Sequence, residues 1–213
     1  ESTPASEFKY EVREDGTIAI TEYIGSSGDV VVPAVIDGQK VSHLELPYNS
    51  DIRKITILAD LTRIDMESSY LEELILPSDL RSIDIYVASS FNLQKVTLPN
   101  TLHTLKFYAF GHCYELNEIE LPMSLVNMEG NPFSNASTIV QVPENHPVFM
   151  TQEGALFNHQ SKTLVHYPYN HGPKTYVVPP GTQVIGDSAF EGSEQLEEVI
   201  LPEGLQVIEN GAF

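Results

Sequence analysis

Five places in this sequence carry residue types that could do chemistry. Gly186-Asp187-Ser188 imitates the opening of an esterase signature, in which a serine on a sharp turn becomes a nucleophile beside a base and an oxyanion hole. No complete G-x-S-x-G elbow occurs anywhere in the chain. His112-Cys113 sets a thiol next to an imidazole. Neighbouring residues of an extended chain point apart, however, and no second histidine or amide is placed to orient the first. The seven histidines are His43, His103, His112, His146, His159, His166 and His171, with no H-E-x-x-H among them. His159, His166 and His171 lie close together in sequence, but their spacing matches no metal module and solvated imidazoles are expected. Glu191, Glu194, Glu197, Glu198, Glu203 and Glu209 crowd the C-terminal part without the D-x-D-x-D-G spacing of a calcium loop, so a solvated acidic face is expected. Asn135-Ala136-Ser137 fits the glycosylation triplet, which is common by chance. The reading is a chain with no catalytic residues, no cofactor and no metal.

Composition narrows the partner instead. The 213 residues carry 30 Asp plus Glu against 11 Lys plus Arg, a net charge of −19. A surface this acidic repels phosphate backbones and anionic headgroups, so neither nucleic acid nor a membrane surface is expected, and the partner is neutral or basic. The longest strongly apolar stretch, Val30 to Ile36, is broken by Pro33 and is far short of the roughly 20 residues of a spanning helix. One cysteine, Cys113, excludes an internal disulfide. The first residues lack an initiator Met and a basic-then-apolar signal, which suits a chain whose leader has been removed.

The elements that position all these groups repeat. Apolar-Pro pairs end at Pro77, Pro99, Pro122, Pro143, Pro179 and Pro202, spaced 22, 23, 21, 36 and 23 residues, which is one period with one insertion. Two degenerate units precede them, ending at Val32-Pro33 and Leu58-Ala59, so eight coils are expected. Ahead of each proline the apolar residues stand as in Leu71, Leu74, Leu76 or Leu116, Ile119, Leu121. Their last step of two is the strand period, and the proline, which cannot donate a ladder hydrogen bond, closes the strand. Six residues later an apolar residue returns (Ile83, Leu105, Met128, Ile185, Ile208), and Ala-Phe follows at 109–110, 189–190 and 212–213. A unit of this size cannot bury its own face, so consecutive coils must stack into a solenoid with short parallel strands. Right-handedness is expected from the general crossover rule. In this frame Ser188 occupies a turn slot that the next coil fills with Glu209-Asn210-Gly211, and Cys113 aligns with Ser193 as a small buried plug.

The phrase Val184 to Phe213, VIGDSAFEGSEQLEEVILPEGLQVIENGAF, resembles the BspA-like leucine-rich repeat family of bacterial surface proteins. Asp15 to Leu44 and Gly154 to Phe190 are similar to passages that accompany those repeats, so the resemblance covers nearly the whole chain. It implies a β-rich leucine-rich-repeat solenoid, a secreted or cell-surface location on a bacterium, and attachment to an extracellular protein or glycan. It marks no binding residues. The chain departs from the pattern over 41–70, at Val87-Ala88 and at Pro132-Phe133, where the Ala-Phe turn is missing or half kept.

Residues 1–25 are expected to form an N-terminal hairpin cap turned at Glu14-Asp15-Gly16. Residues 26–136 hold repeats whose first coils are degenerate, 137–176 a repeat with an inserted β-hairpin (Ala155–Asn158 with Thr163–His166), and 177–213 repeats that end without a cap. Phe213 falls where another coil would bury it. Either the sequence is a piece of a longer repeat protein, the favoured reading, or another chain covers that end by end-to-end self-association.

Two outward columns run across the strands. Lys54, Glu73, Lys95 and Glu118 alternate in sign and predict a charge ladder, continued by Ile139, Thr175 and Glu198. The second column, beginning at Val31, runs Thr56, Ile75, Thr97, Glu120, Gln141, Val177 and Ile200. Strand propensity alone would explain its Val, Ile and Thr. It is also the candidate ligand face, with Ile75, Val177 and Ile200 expected to make one apolar patch. The two functions consistent with this are an adhesin-type binding module and a spacer without a ligand.

Overall fold

The structure is a computed structural model that describes residues 1–46, 51–61, 63–66, 70–83, 90–169 and 172–213. Eight short parallel strands form the front wall: Asp29–Val32, Lys54–Ile57, Glu73–Ile75, Lys95–Thr97, Glu118–Glu120, Ile139–Gln141, Thr175–Val177 and Glu198–Ile200. They bound about seven turns of a β-solenoid. A back wall runs through Ile18–Tyr23, Gln39–Leu46, Arg63–Met66, Ser82–Ile83, Thr104–Leu105, Asn127–Met128, Thr163–His166, Val184–Ile185 and Val207–Ile208. The apolar residues that return six positions past each proline fall on these back strands. Among the described residues no helix is long and apolar enough to cross a membrane.

The front strands are short because a proline or turn closes each one, and they align because each coil repeats the last. Val30 pairs with Ile55, Ile55 with Leu74, and Leu74 with Val96; Ile119 pairs with Val140, and Tyr176 with Val199. All but Val199 in this column are buried. Burying a Leu or Ile contributes about 1.5–3 kcal/mol. The column is therefore the main stabilising feature, and the residues that alternate with it are left to face outward.

The rings of the Ala-Phe turns stack from coil to coil. Phe110 lies 6.1 Å from Phe133 at 12°, and Phe190 lies 5.0 Å from Phe213 at 3°. The Pro132-Phe133 variant keeps its ring in this stack, fully buried. Val87-Ala88 lies outside the described residues. Two residues past each phenylalanine the backbone is left-handed: His112 (φ 57°), Asn135 (φ 52°) and Gly192 (φ 82°).

The N-terminal hairpin pairs Phe8–Val12 with Ile18–Tyr23 around Gly16, whose φ of 78° suits glycine. Its second strand also pairs in parallel with Gln39–Leu46, so the cap is continuous with the back wall. Ahead of it, the Thr3 N–H donates to Val31 O (3.0 Å) and the Val31 N–H to Thr3 Oγ1 (2.9 Å), covering the edge of the first front strand. The inserted hairpin has the expected strands, Ala155–Asn158 and Thr163–His166, and a third, Phe149–Gln152, pairs antiparallel before them. Thr163–His166 pairs in parallel with Val184–Ile185, so the insertion is woven into the wall. The core divides here into two clusters, one spanning Phe8 to Val165 and one spanning Ala155 to Ala212.

Candidate binding surface

The front wall carries two outward columns in the expected register. In the first, Asp29 stands opposite Lys54, Lys54 opposite Glu73, and Glu73 opposite Lys95. Glu73 bonds both lysines, Oε2 to Lys54 Nζ at 2.9 Å and Oε1 to Lys95 Nζ at 3.1 Å. Hydrogen bonds from Lys54 and then Lys95 hold the Glu73 carboxyl below the ordinary glutamate range, outweighing burial. Lys54, Glu73 and Lys95 thus pair within the ladder, whereas Glu118 starts a separate ladder. Asp29, absent from the sequence reading of this column, extends it by one rung.

In the second column Val31 faces Thr56, Thr56 faces Ile75, and Ile75 faces Thr97; Glu120 faces Gln141, and Val177 faces Ile200. Thr56 and Ile75 are half-buried, while Thr97, Glu120, Gln141, Val177 and Ile200 are exposed. The structure places the seven residues on the outward side of three successive front ladders, Asp29–Val32 to Lys95–Thr97, Glu118–Glu120 with Ile139–Gln141, and Thr175–Val177 with Glu198–Ile200, with a correction. Ile75, Val177 and Ile200 do not make one apolar patch, because Thr97, Glu120 and Gln141 occupy the rungs between Ile75 and Val177. At about 4.8 Å per rung, those positions separate the isoleucine from the Val177–Ile200 pair by more than the reach of a side chain. The face offers a β-branched end, a polar middle and a second apolar end.

The places with chemical residue types are built as follows. Ser188 is buried in a left-handed turn (φ 55°), its Oγ donating to Asp187 Oδ1 at 3.0 Å. Cys113 is fully buried, and burial pushes its thiol up to about 12, far from a reactive thiolate. His166 is completely buried, and burial pushes it down to about 4 although its Nε2 donates to Thr138 O at 3.0 Å. His159 is exposed, with Nε2 3.4 Å from His146 O. His171 lies outside the described residues. Among the described residues no three His, Cys, Asp or Glu side chains converge on a metal site. Asn135 is half-buried, with Nδ2 3.0 Å from His112 Nδ1, so the glycosylation triplet is folded into a turn.

Glu191 departs from the solvated acidic face expected of it. It is half-buried, and its carboxylate accepts hydrogen bonds from Tyr108 Oη at 2.9 and 3.0 Å and a very short one from Ser134 Oγ. Burial raises the acid's pKa, but bonds from Ser134, Tyr108 and Ser188 and the nearby His112 outweigh it, so the carboxyl titrates lower than an ordinary glutamate. The partners lie 57 and 83 residues away, and no local pattern announces them. Glu194, Glu197, Glu198, Glu203 and Glu209 are exposed as expected.

At the last coil the apolar positions that are buried elsewhere open to solvent. Leu116 and Leu121 are fully buried, whereas Leu196 is half-buried and Leu201 is 42% exposed. Leu196, Val199, Leu201, Phe190 and Phe213 line a groove of about 560 Å³. Phe213 itself is 62% exposed.

A family model described as BspA type leucine rich repeat region matches the chain in six copies, over residues 45–161 and 166–213. No curated protein matches it. Among solved structures, the chain is similar to the pneumococcal vaccine antigen PcpA, with 22% identity and a TM-score of 0.74, covering 100% of this chain and 67% of that one. It is similar to a leucine rich cell surface protein from Faecalibacterium prausnitzii, with 19% identity and a TM-score of 0.59, over 100% and 73% of the two chains. It is also similar to a leucine rich repeat protein of T. pallidum, with 20% identity and a TM-score of 0.54, over 98% and 86%. At these identities the likeness establishes the shared fold.

Proposed function

Because the chain belongs to the BspA-type leucine-rich repeat family, we propose that it is a non-catalytic binding module of adhesin type. It works outside a bacterial cell and recognises a protein or a glycan through the front strand face. The observation that carries this reading is the second column. Seven residues from Thr56 to Ile200 face outward beside a column in which Lys54, Glu73 and Lys95 pair with one another, so their polar and apolar groups are available to a partner. Solenoids commonly use such an extended face for recognition. The likeness to a leucine rich cell surface protein supports the location.

The net charge of −19 favours a neutral or basic partner and opposes nucleic acid. The buried state of Ser188 and Cys113 supports the non-catalytic reading. The test is saturable binding of the chain to immobilised extracellular-matrix proteins and glycans, with a Val177→Glu, Ile200→Glu variant of verified fold. Loss of binding in the variant supports the face, and unchanged affinity overturns it. Binding to nothing favours a spacer. End-to-end self-association through the groove at Leu201 and Phe213 is a separate proposal. Sedimentation should then show a dimer that Leu201→Glu dissolves, and a monomer at all concentrations overturns it.

A further inference from the structure

The division of the core at the insertion is spanned by a polar joint whose hydrogen bonds admit one protonation state. Asn131 is almost fully buried, and its amide makes three bonds. Its Oδ1 accepts from the Phe133 N–H at 2.9 Å, and its Nδ2 donates to Ser188 O at 2.9 Å and to His166 Nδ1 at 3.2 Å. The first two partners are backbone groups, one donor and one acceptor, so they fix which end of the amide faces the imidazole. His166 must therefore accept at Nδ1, while its Nε2–H donates to Thr138 O at 3.0 Å. The neutral ring satisfies both bonds. A second proton on Nδ1 would point at the Asn131 NH2 group, donor against donor, inside a buried site.

The two sides of this joint belong to different parts of the solenoid. Asn131, Phe133 and Thr138 come from the coil that precedes the inserted sheet, with the Phe133 ring 5.5 Å from the His166 ring. His166 lies on the sheet that runs from Phe149–Gln152 to Val207–Ile208 and carries residues of both clusters, and Ser188 lies on the turn after its strand Val184–Ile185. The parallel tie from Glu191 to Tyr108 and Ser134 crosses the same boundary.

We infer that this joint is an acid-released hinge. Protonation of His166 breaks the Asn131 bridge to His166 and Ser188, and the block from Phe149 onward, whose strands form one sheet, opens from the coils before it while those coils stay folded. Among the described residues, the groups in contact with His166 are Asn131, Thr138 and the Phe133 ring, and none of these carries a charge that could hold an imidazolium. Ionisable groups at the boundary include Glu191, Tyr108 and His112, around the second tie, and Asp187, whose carboxylate accepts from Ser188 Oγ. Glu191 keeps its charge to lower pH than an ordinary glutamate, so His166 is the first of the two ties to fail on acidification.

The sign follows from linkage. An opened His166 has the ordinary value of 6.5 and the folded one about 4, so the opened form binds more protons throughout that window. Stability of the joint is full above 6.5, falls as the pH drops, and levels off below the folded value. The opening equilibrium of the block should rise roughly 30-fold at pH 5 and on the order of 100-fold at pH 4.

The experiment is amide hydrogen exchange on the full chain between pH 7.5 and pH 4.5, corrected for intrinsic chemistry. Protection over 149–213 should fall selectively while that over 18–128 is kept. His166→Gln, whose amide can accept from Asn131 and donate to Thr138, should retain protection at neutral pH and lose the acid dependence. The His166 ring of the unaltered protein, followed by NMR, should stay neutral and protonated at Nε2 down to about pH 4. Equal loss of protection across both blocks, the same pH slope in His166→Gln, or titration of the folded His166 ring near 6.5 would each overturn the hinge. If the Gln variant does not fold, the exchange profile and ring titration of the unaltered chain decide the matter alone.

Discussion

Val177 stands directly opposite Ile200 across the parallel strands of the last two front rungs, the two side chains 52% and 46% exposed. An exposed pair of this kind is ordinary when it occurs singly. Here it ends a column that also holds Val31, Thr, Ile, Glu and Gln, on a wall where Lys54, Glu73 and Lys95 of the neighbouring column pair with one another. That contrast gives the front face its two characters: one column ties neighbouring coils together, and the other leaves its groups to solvent.

The ladder column should behave as structure. In Glu73→Gln the lysines at positions 54 and 95 lose their shared acceptor, and thermal stability should fall modestly at low ionic strength. Most of that loss should disappear in about 1 M salt, where screening is effective within a few ångströms. Because the folded Glu73 carboxyl lies below its unfolded value, the wild-type protein should lose the contribution as pH falls through the folded pKa, and the Gln variant should not. An equal salt response in both proteins would count against the ladder.

Cys113 should be chemically silent. With the thiol buried and pushed up to about 12, a thiol-specific disulfide reagent at pH 8 should fail to label the native chain and should label it fully in denaturant. Rapid labelling of the native protein would place Cys113 at an accessible position and contradict its role as a plug.

Equivalent leucines should differ by position along the stack. Leu121 and Leu201 each end a front strand before a proline, one fully buried and the other 42% exposed. Leu121→Ala should cost about 2–5 kcal/mol in urea unfolding, as cavity-forming core substitutions do. Leu201→Ala should cost well under half of that. Similar losses would mean that the last coil is buried in solution.

The front wall was legible in the sequence because a proline closes nearly every strand and one period repeats. Leu74, Val96 and Ile119 could be assigned to the core, and Glu73 and Lys95 to one outward column, by counting back from Pro77, Pro99 and Pro122. Counting also placed Cys113 in the core. It could not place Glu191, whose bonds to Tyr108 and Ser134 depend on how three turns meet across the insertion. Nor could it show that Asn131, His166 and Ser188 converge, since they belong to different units and none occupies a position that the others repeat. The apolar patch failed for a related reason. Repetition fixes which residues share a column, but the identity of each rung is free, and polar residues occupy the rungs between Ile75 and Val177.

The measurement that bears most directly on the binding face compares three proteins over the same panel of immobilised matrix proteins and glycans at physiological salt. They are the unaltered chain, the Val177→Glu, Ile200→Glu variant, and a control altered away from the front wall, Met150→Glu, at a 40% exposed residue of the inserted sheet. All three should show the same thermal unfolding. The account predicts saturable binding by the unaltered chain and the control, weakened at least tenfold in the front-wall variant. Equal affinity in all three, or loss in the control alone, would contradict recognition through the strand face.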